Sequence, residues 1–265
     1  MKRVVMMTDL EGVAGVVSFE PQAYADGRYN EEARVLLTGE INAAVEGLLA
    51  ADVEEILVID GHGSGGVVFE ALHPAAKLMH GRPTAPREVQ NRIIETYDAA
   101  MLVGQHAMAG VPNGNLAHTQ SSRSIDAITL NGTPIGETAQ FALYCGGLGV
   151  PTIFLSGDDA ACCEAESLIP GMTMVAVKQG LSRNAAISLS AVEARRLIRE
   201  GVERAVLAQR QEPLDPLVWE GPYVLEKRFF HTDTADRAAE APDVARVDAQ
   251  TVRIEDDDIV SLIYR

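Results

Sequence analysis

Apolar residues along this chain come in two patterns that alternate from the N-terminus onward. Short, uninterrupted apolar runs at residues 4–7, 57–59 and 101–103 predict buried strands. Between the first two runs, residues 37–48 place apolar side chains three and four positions apart, which predicts an amphipathic helix. A strand, a helix and a second strand in this order form a parallel pair, so the pattern predicts an α/β fold.

The rest of the chain extends this pattern and then changes in character. Apolar segments on either side of residues 131–132, an Asn-Gly pair, predict a hairpin, and Ser190 and Glu193 form a capping box that opens a long helix. A cluster of prolines follows that helix, with shorter strand-like segments beyond it. We therefore predict a mostly parallel sheet flanked by helices in residues 1–190, and a smaller α+β subdomain in residues 191–265.

Side chains that bind metals stand at the ends of these predicted strands. Asp9 and Glu11 follow the first strand, His62 the second and His106 the third, while Glu137 begins a predicted helix. Ligands of an open α/β sheet bind in the crevice beyond the carboxyl ends of the strands, so we expect these side chains to converge there. Carboxylates and neutral imidazoles suit zinc, and a carboxylate can bridge two cations. The prediction is a hydrolytic metal site in the domain formed by residues 1–190.

The same residues are also compatible with sites of a different kind. Carboxylates and histidines at strand ends also occur in active sites without metals, and a metal site of this kind also suits another amidohydrolase or a phosphoesterase. Residues 61–66 match the G-x-G-x-x-G pattern of nucleotide-binding loops, and a short helix is predicted at residues 66–72. The acidic residue that such a loop needs about 20 positions later is missing, since residues 79–82 are Met-His-Gly-Arg. This disfavours a nucleotide-binding module.

The composition of the chain limits the kinds of molecule that the protein is expected to bind. The 265 residues carry a formal net charge of −16, which repels nucleic acid and anionic membranes. Nowhere does an apolar run approach the ~20 residues of a membrane-spanning helix. The three cysteines, two of them adjacent, do not form the pattern of a disulfide framework, which favours a reducing compartment. We expect a cytoplasmic protein that binds neither nucleic acid nor membrane.

Several short motifs, in the same order and at similar spacing, resemble the zinc-dependent D-aminopeptidases of the DppA type, peptidase family M55. The resemblance extends from the first strand to about residue 190. The motifs are T-D-L-E-G at 8–12, D-G-H at 60–62, G-Q-H-A at 104–107, P-I-G-E at 134–137, S-G-D-D at 156–159, and V-K at 177–178 leading to S-R-N-A at 182–185.

This resemblance implies a specific site and activity. It implies two zinc ions per chain, with Asp9 bridging them and the other four predicted ligands completing the site. It also implies a catalytic role for His118, which lies in a loop after His106. The activity implied is release of N-terminal D-amino acids, such as D-Ala, from short peptides by a homodecameric ring. The preference for D-amino acids comes from the resemblance alone, because no motif here encodes chirality.

Overall fold

The computed structural model describes residues 1–265 and contains two β-sheets with helices packed around them. The strands are β1 (Arg3–Thr8), β2 (Glu55–Asp60), β3 (Ala76–Met79), β4 (Ala99–Gln105), β5 (Ile125–Leu130), β6 (Thr133–Pro134), β7 (Thr152–Asp158), β8 (Thr173–Ser182), β9 (Ala185–Ser188), β10 (Tyr223–Phe229), β11 (Ala245–Arg246) and β12 (Thr251–Asp256). The helices are α1 (Asn30–Ala50), α2 (Arg87–Ile94), α3 (Glu137–Gly147), α4 (Asp159–Leu168), α5 (Ala191–Gln211), α6 (Thr232–Ala238) and α7 (Ile259–Leu262). None of the helices combines the length and the apolar character needed to span a bilayer.

The larger sheet has the strand order β3-β2-β1-β4-β7-β8-β9. Neighbouring strands run parallel except β9, which pairs antiparallel with β8 at the edge. From β1 the chain moves outward to β2 and β3 on one side and then returns to β4 on the other side. Strands β1 and β4 therefore flank a topological switch point, where the loops after the strands diverge and leave a crevice. The predicted α/β fold with a mostly parallel sheet is confirmed.

The two faces of this sheet bury separate hydrophobic cores because side chains alternate along each strand. In β1, Val4 and Met6 belong to the core beneath α1 and α5, whereas Val5 belongs to the opposite core. Helix α5 begins at the predicted capping box, where the Ser190 side chain accepts the Glu193 N–H. The opposite core fills the space between the larger sheet, α3 and the second sheet.

The smaller sheet is antiparallel and has the order β11-β12-β10-β5-β6. Asn131 and Gly132 join β5 to β6 with φ values of 50° and 78°, the left-handed pair that a two-residue hairpin turn requires. The predicted hairpin is confirmed. Because β5 pairs with β10, and α5 packs on α1 and β8, both sides of residue 190 contribute to each layer. The division into domains at residue 190 remains a prediction.

The segment after β2 differs from its prediction. Residues 66–72 form no α-helix and contain only one turn of 3-10 helix at Phe69–Ala71. The Asp60 carboxylate accepts the backbone N–H of Gly66 at 2.9 Å and so holds the glycine-rich loop as a turn. Gly65 adopts a φ of 90°, which also interrupts helical geometry. Because no α-helix begins after this loop, a nucleotide would lack the helix N-terminus that binds its phosphates.

Candidate metal centre

The loop after β1 meets the carboxyl end of β4 at the switch point, where glycines allow the two backbones to touch. The Asp9 N–H donates to the Val103 carbonyl at 2.9 Å. The Gly12 N–H donates to the Gly104 carbonyl at 2.7 Å. A Cβ on Gly104 would lie 2.0 Å from the Asp9 carbonyl oxygen, and a Cβ on Gly12 would lie 2.0 Å from a backbone oxygen at the end of β4. Larger residues at either position would push the loop after β1 away from the end of β4.

Asp9 stands between two histidines. Its Oδ1 lies 3.2 Å from His62 Nδ1, and its Oδ2 lies 3.1 Å from His106 Nε2. Glu11 Oε2 is 3.1 Å from the same His62 Nδ1. All four residues are buried, with 8% or less of their surface exposed. The structure therefore brings four of the five predicted ligands into one contact network.

Backbone carbonyls orient both imidazole rings. His62 Nε2 lies 2.9 Å from the Ala23 carbonyl oxygen, and His106 Nδ1 lies 2.9 Å from that of Ala107. Because a carbonyl oxygen only accepts, these two nitrogens carry the hydrogen and donate it. The opposite nitrogens, His62 Nδ1 and His106 Nε2, therefore face the carboxylates. That arrangement is favourable only when a cation, either a proton or a metal ion, lies between nitrogen and carboxylate.

Glu137 completes the predicted set from the side of the open cleft. Its Oε1 lies 3.6 Å from His106 Nε2 and accepts the backbone N–H of Gln120 at 2.6 Å. The side chain is 26% exposed, more than the other four. Glu137 is the first residue of α3, and the β5–β6 hairpin immediately before α3 returns the chain to the crevice. All five predicted ligands are thus brought together.

His118, the predicted catalytic residue, lies at the same site. Its ring stacks on that of His106, with centroids 4.0 Å apart and planes at 14°, and meets the ring of Phe19 edge-on at 5.5 Å. His118 Nδ1 donates to the Leu116 carbonyl at 2.9 Å, while Nε2 lies 3.9 Å from Glu137 Oε1. Burial and, to a smaller extent, the neighbouring charge of His106 lower the pKa of His118 to about 3. His118 is therefore neutral at pH 7, with an unprotonated Nε2.

The electrostatics of the centre favour positive charge. Burial lowers the pKa values of His62 and His106, but the surrounding carboxylates outweigh it and raise them to about 11 and about 10. Burial alone would raise the pKa of Asp9, yet its two imidazole partners hold it well below its usual range. Burial raises the pKa of Glu11 and raises that of Glu137 to about 7. Without metal, the pocket holds protons where cations can bind.

The donor atoms fit zinc in kind and in spacing. His106 Nε2 is buried without a hydrogen-bond partner, even though Asp9 Oδ2 is only 3.1 Å away. Ligand atoms that share one zinc at ~2.0–2.1 Å lie about 3.3 Å apart, which matches the contacts of Asp9 with both histidines. Two sets of three residues place one ligand atom each within 4.8 Å of one another: Asp9, Glu11 and His106, and His106, His118 and Glu137.

Comparison with known proteins gives the family. A family profile described as D-aminopeptidase, peptidase family M55, matches residues 1–264. The chain belongs to the D-aminopeptidase family. The predicted resemblance is therefore confirmed, and with it the enzyme class, a metal-dependent aminopeptidase.

Two relatives support this membership. A D-aminopeptidase of Bacillus subtilis (strain 168) is 32% identical over 239 residues, which cover 89% of this chain and 84% of the relative. The structure also superimposes on the solved structure described as the Zn-dependent D-aminopeptidase DppA from Bacillus subtilis, a self-compartmentalizing protease. The TM-score is 0.89 at 28% identity, covering 99% of this chain and 94% of that one. The whole fold, including the C-terminal sheet, is therefore shared.

A cleft of about 450 Å³ opens onto the metal centre of this D-aminopeptidase. Five of the six predicted site residues line it, together with the polar residues Asp26, Ser121, Ser122 and Arg123. A larger cavity of about 720 Å³, lined by Met108 among other apolar residues, contains none of the six. The smaller, polar cleft rather than the larger cavity is therefore the candidate substrate cleft.

Lys178 had no predicted role, but its side chain hydrogen-bonds to chain segments around the metal centre. It is 3% exposed, and its Nζ donates to the Glu11 carbonyl, to the Val16 carbonyl at 2.6 Å and to Asn115 Oδ1 at 2.8 Å. Burial lowers its pKa to about 8. The sequence signal that could have revealed it is a lysine directly after the apolar run at residues 174–177. Lys178 ties the loop carrying Glu11 to the loop that leads to His118.

Proposed function

We propose that this enzyme holds two zinc ions per chain and releases N-terminal D-amino acids from short peptides. The observation that carries the proposal is the position of Asp9, whose two carboxylate oxygens face two different imidazoles at 3.2 and 3.1 Å. One carboxylate placed in this way can bridge two cations. In the proposed assignment, Asp9, Glu11 and His62 hold one ion. Asp9, His106 and Glu137 hold the other.

The charges of the ligands support this assignment. Three carboxylates against two divalent cations leave one net positive charge, which favours an anionic group in the cleft. Zinc, when bound, supplies Lewis acidity that polarises a carbonyl and acidifies water. The free amine of a peptide's N-terminus, in its unprotonated form, would bind near a metal ion at this end of the cleft. The centre would thus orient the substrate as well as activate it.

His118 is proposed to move the proton. Its Nδ1 is fixed on the Leu116 carbonyl, and its neutral Nε2 is 3.9 Å from Glu137 Oε1 in the cleft. Nε2 can therefore accept a proton from the attacking water and return it to the leaving amine. The same geometry also makes His118 a candidate metal ligand, because Nε2 belongs to a three-residue ligand set with His106 and Glu137.

Metal content of a variant separates these two roles. If His118 moves a proton, the His118→Gln variant should lose most of its activity but retain about two zinc ions per chain. Elemental mass spectrometry of the purified variant measures this zinc content. A loss of one zinc ion would assign His118 to the ligands. His80→Gln, which changes an exposed histidine stacked on Phe69, is the matched control and should change neither metal content nor activity.

The proposed activity is tested with a panel of substrates on the purified, zinc-loaded enzyme. D-Ala-D-Ala should be cleaved, L-Ala-L-Ala should be cleaved poorly, and a phosphate monoester should be inert. Cleavage of the phosphate ester alone would favour the phosphoesterase alternative. Cleavage of amides that are not peptides, with no cleavage of peptides, would favour a different amidohydrolase. A thermal shift with NAD or ATP, but none with zinc, would favour the nucleotide-binding alternative.

The proposal extends to assembly and location. By analogy with the self-compartmentalizing relative, we propose a homo-oligomer, specifically a decameric ring, that works in the cytoplasm on small peptides. Light scattering on a sizing column should give a mass near that of ten 28.4 kDa chains. A monomer at micromolar concentration would contradict the ring.

A further inference from the structure

One arginine in the candidate substrate cleft has no carboxylate partner within the chain. Arg123 lines the cleft and is the only lysine or arginine that does so, whereas Asp9, Glu11, Asp26 and Glu137 also line it. Its guanidinium carbon lies 3.8 Å from the centre of the Tyr24 ring, and it forms no ion pair. In a chain with a net charge of −16, an arginine without a carboxylate partner beside acidic residues is an available anion-binding group.

Two aromatic rings, those of Tyr24 and Phe19, connect this arginine to His118 at the metal centre. The Tyr24 ring stacks on Phe19 with centroids 5.6 Å apart, and Phe19 in turn contacts His118 edge-on. The Tyr24 hydroxyl hydrogen-bonds with Ser122 Oγ at 3.0 Å, which ties the ring to the loop that carries Arg123. The guanidinium is therefore held over a fixed aromatic face, an arrangement that keeps its donors in a defined place.

The cleft therefore offers two different groups to a substrate, the metal centre and the Arg123 guanidinium. Arg123 is connected to His118 through the rings of Tyr24 and Phe19, each of which contacts the next. A short peptide carries two matching groups, an N-terminal amine that can bind a metal ion as the free base and a C-terminal carboxylate. A guanidinium binds a carboxylate with two parallel hydrogen bonds, which gives direction as well as affinity.

We infer that Arg123 binds the α-carboxylate of short peptide substrates, so that the enzyme selects peptides with a free C-terminus. The inference rests on the proposed peptidase function and adds to it the substrate class and the residue that reads it. Arg123 acts as a specificity residue remote from the reacting bond. It contributes similar binding energy in the ground state and the transition state, so its loss raises KM more than it lowers kcat.

The test compares each peptide acid with its C-terminal amide on the zinc-loaded enzyme. The unmodified enzyme should cleave D-Ala-D-Ala and D-Ala-Gly-Gly with a higher kcat/KM than their amides. For at least one of the two lengths the ratio should be about 10- to 100-fold, the usual range for a charged hydrogen-bonded pair. Arg123→Gln should abolish that preference by raising KM for the acids, with the amides unaffected. Arg123→Lys should retain part of it, because the charge remains without the planar donor pair.

Two further variants make the test specific. Tyr24→Leu keeps the arginine but removes the ring beneath it, and should give an intermediate preference. Arg28→Gln is the matched control: Arg28 also lies over a tyrosine, Tyr29 at 5.3 Å, but does not line the cleft. The Arg28→Gln variant should show the same preference for acids over amides as the unmodified enzyme.

The outcomes that overturn the inference differ from those that overturn the function. If the unmodified enzyme cleaves acids and amides equally, or if Arg123→Gln slows both equally, Arg123 does not read the carboxylate although the peptidase function stands. If Arg123→Gln dissociates the oligomer, the arginine belongs to an interface between chains and the inference fails. If the unmodified enzyme cleaves neither acids nor amides, the proposed function fails and this inference fails with it.

Discussion

Glu40 should make the stability of this enzyme fall as the pH rises, and replacing it with glutamine should remove that dependence. The residue lies on α1 and is 2% exposed. Its Oε1 accepts the Ala14 N–H at 2.9 Å, while Oε2 is buried without a partner. The pKa of Glu40 is raised to about 7, because burial outweighs the lowering effects of the Ala14 N–H and of the charges of Lys178 and Arg195.

The sign and size of the effect depend on proton binding. The folded protein keeps the Glu40 proton up to about pH 7, whereas an unfolded chain releases it near pH 4.5. Between these values the folded state binds more protons than the unfolded state, so the contribution of Glu40 to stability is most favourable below pH 4.5 and declines as the pH rises toward 7. The interval between the two pKa values corresponds to about 3 kcal/mol.

The assay is chemical unfolding of metal-free protein at pH 5 and pH 8. Glutamine keeps an acceptor for the Ala14 N–H but does not ionise. The free energy of unfolding of Glu40→Gln, relative to that of the unmodified protein, should therefore be up to about 3 kcal/mol higher at pH 8 than at pH 5. Glu46→Gln is the control, because Glu46 lies on the same helix with its side chain 54% exposed. A stability difference between Glu40→Gln and the unmodified protein that is the same at both pH values would refute the reasoning.

Two further predictions concern the metal centre. Gly104→Ala would set a Cβ 2.0 Å from the Asp9 carbonyl oxygen, and should destabilise the fold by about 3 kcal/mol or more and reduce zinc content. Gly110→Ala, at a similar positive φ but with no atom within 4 Å of the added Cβ, is its control in thermal unfolding and metal analysis, and an equal loss there would contradict the contact argument. Zinc uptake should release protons, because His62 and His106 have pKa values of about 11 and about 10 in the metal-free protein and metal must displace those protons. The affinity for zinc should therefore weaken as the pH falls. Titration calorimetry in buffers of different ionisation enthalpy measures the number of protons released. Zinc binding without proton release at pH 7 would contradict this prediction.

Local pattern was sufficient for the residues at the ends of central strands. Asp9, Glu11, His62 and His106 each come after a strand of the parallel sheet, and parallel strands deliver the residues at their carboxyl ends to one edge. The prediction named His62 rather than the nearby Asp60, and the structure gives the two side chains different partners. His62 faces Asp9 and Glu11, whereas the Asp60 carboxylate accepts a backbone N–H of the glycine-rich loop. That difference depends on how the loop closes, which strand periodicity does not encode.

Non-local contacts account for what local pattern could not supply: the path by which the predicted ligand Glu137 reaches the centre, the conformation after β2, and the role of Lys178. Glu137 reaches the centre because the β5–β6 hairpin returns the chain to the crevice, and β5 is held there by pairing with β10. No periodic pattern announces a pairing between segments so far apart in the chain. The helix predicted at residues 66–72 does not form, and the Asp60 carboxylate at the end of β2 accepts the Gly66 N–H instead. Lys178 likewise has a role only once two distant loops surround it.

The central claim is that Asp9 bridges two zinc ions, and anomalous diffraction from zinc-loaded crystals tests it most directly. Data collected on either side of the zinc absorption edge should show two peaks per chain, one between Asp9 and His62 and the other between Asp9 and His106. In crystals of Asp9→Asn at least one of the two peaks should weaken strongly. A single peak in fully active enzyme, or two peaks that do not contact Asp9, would contradict the account.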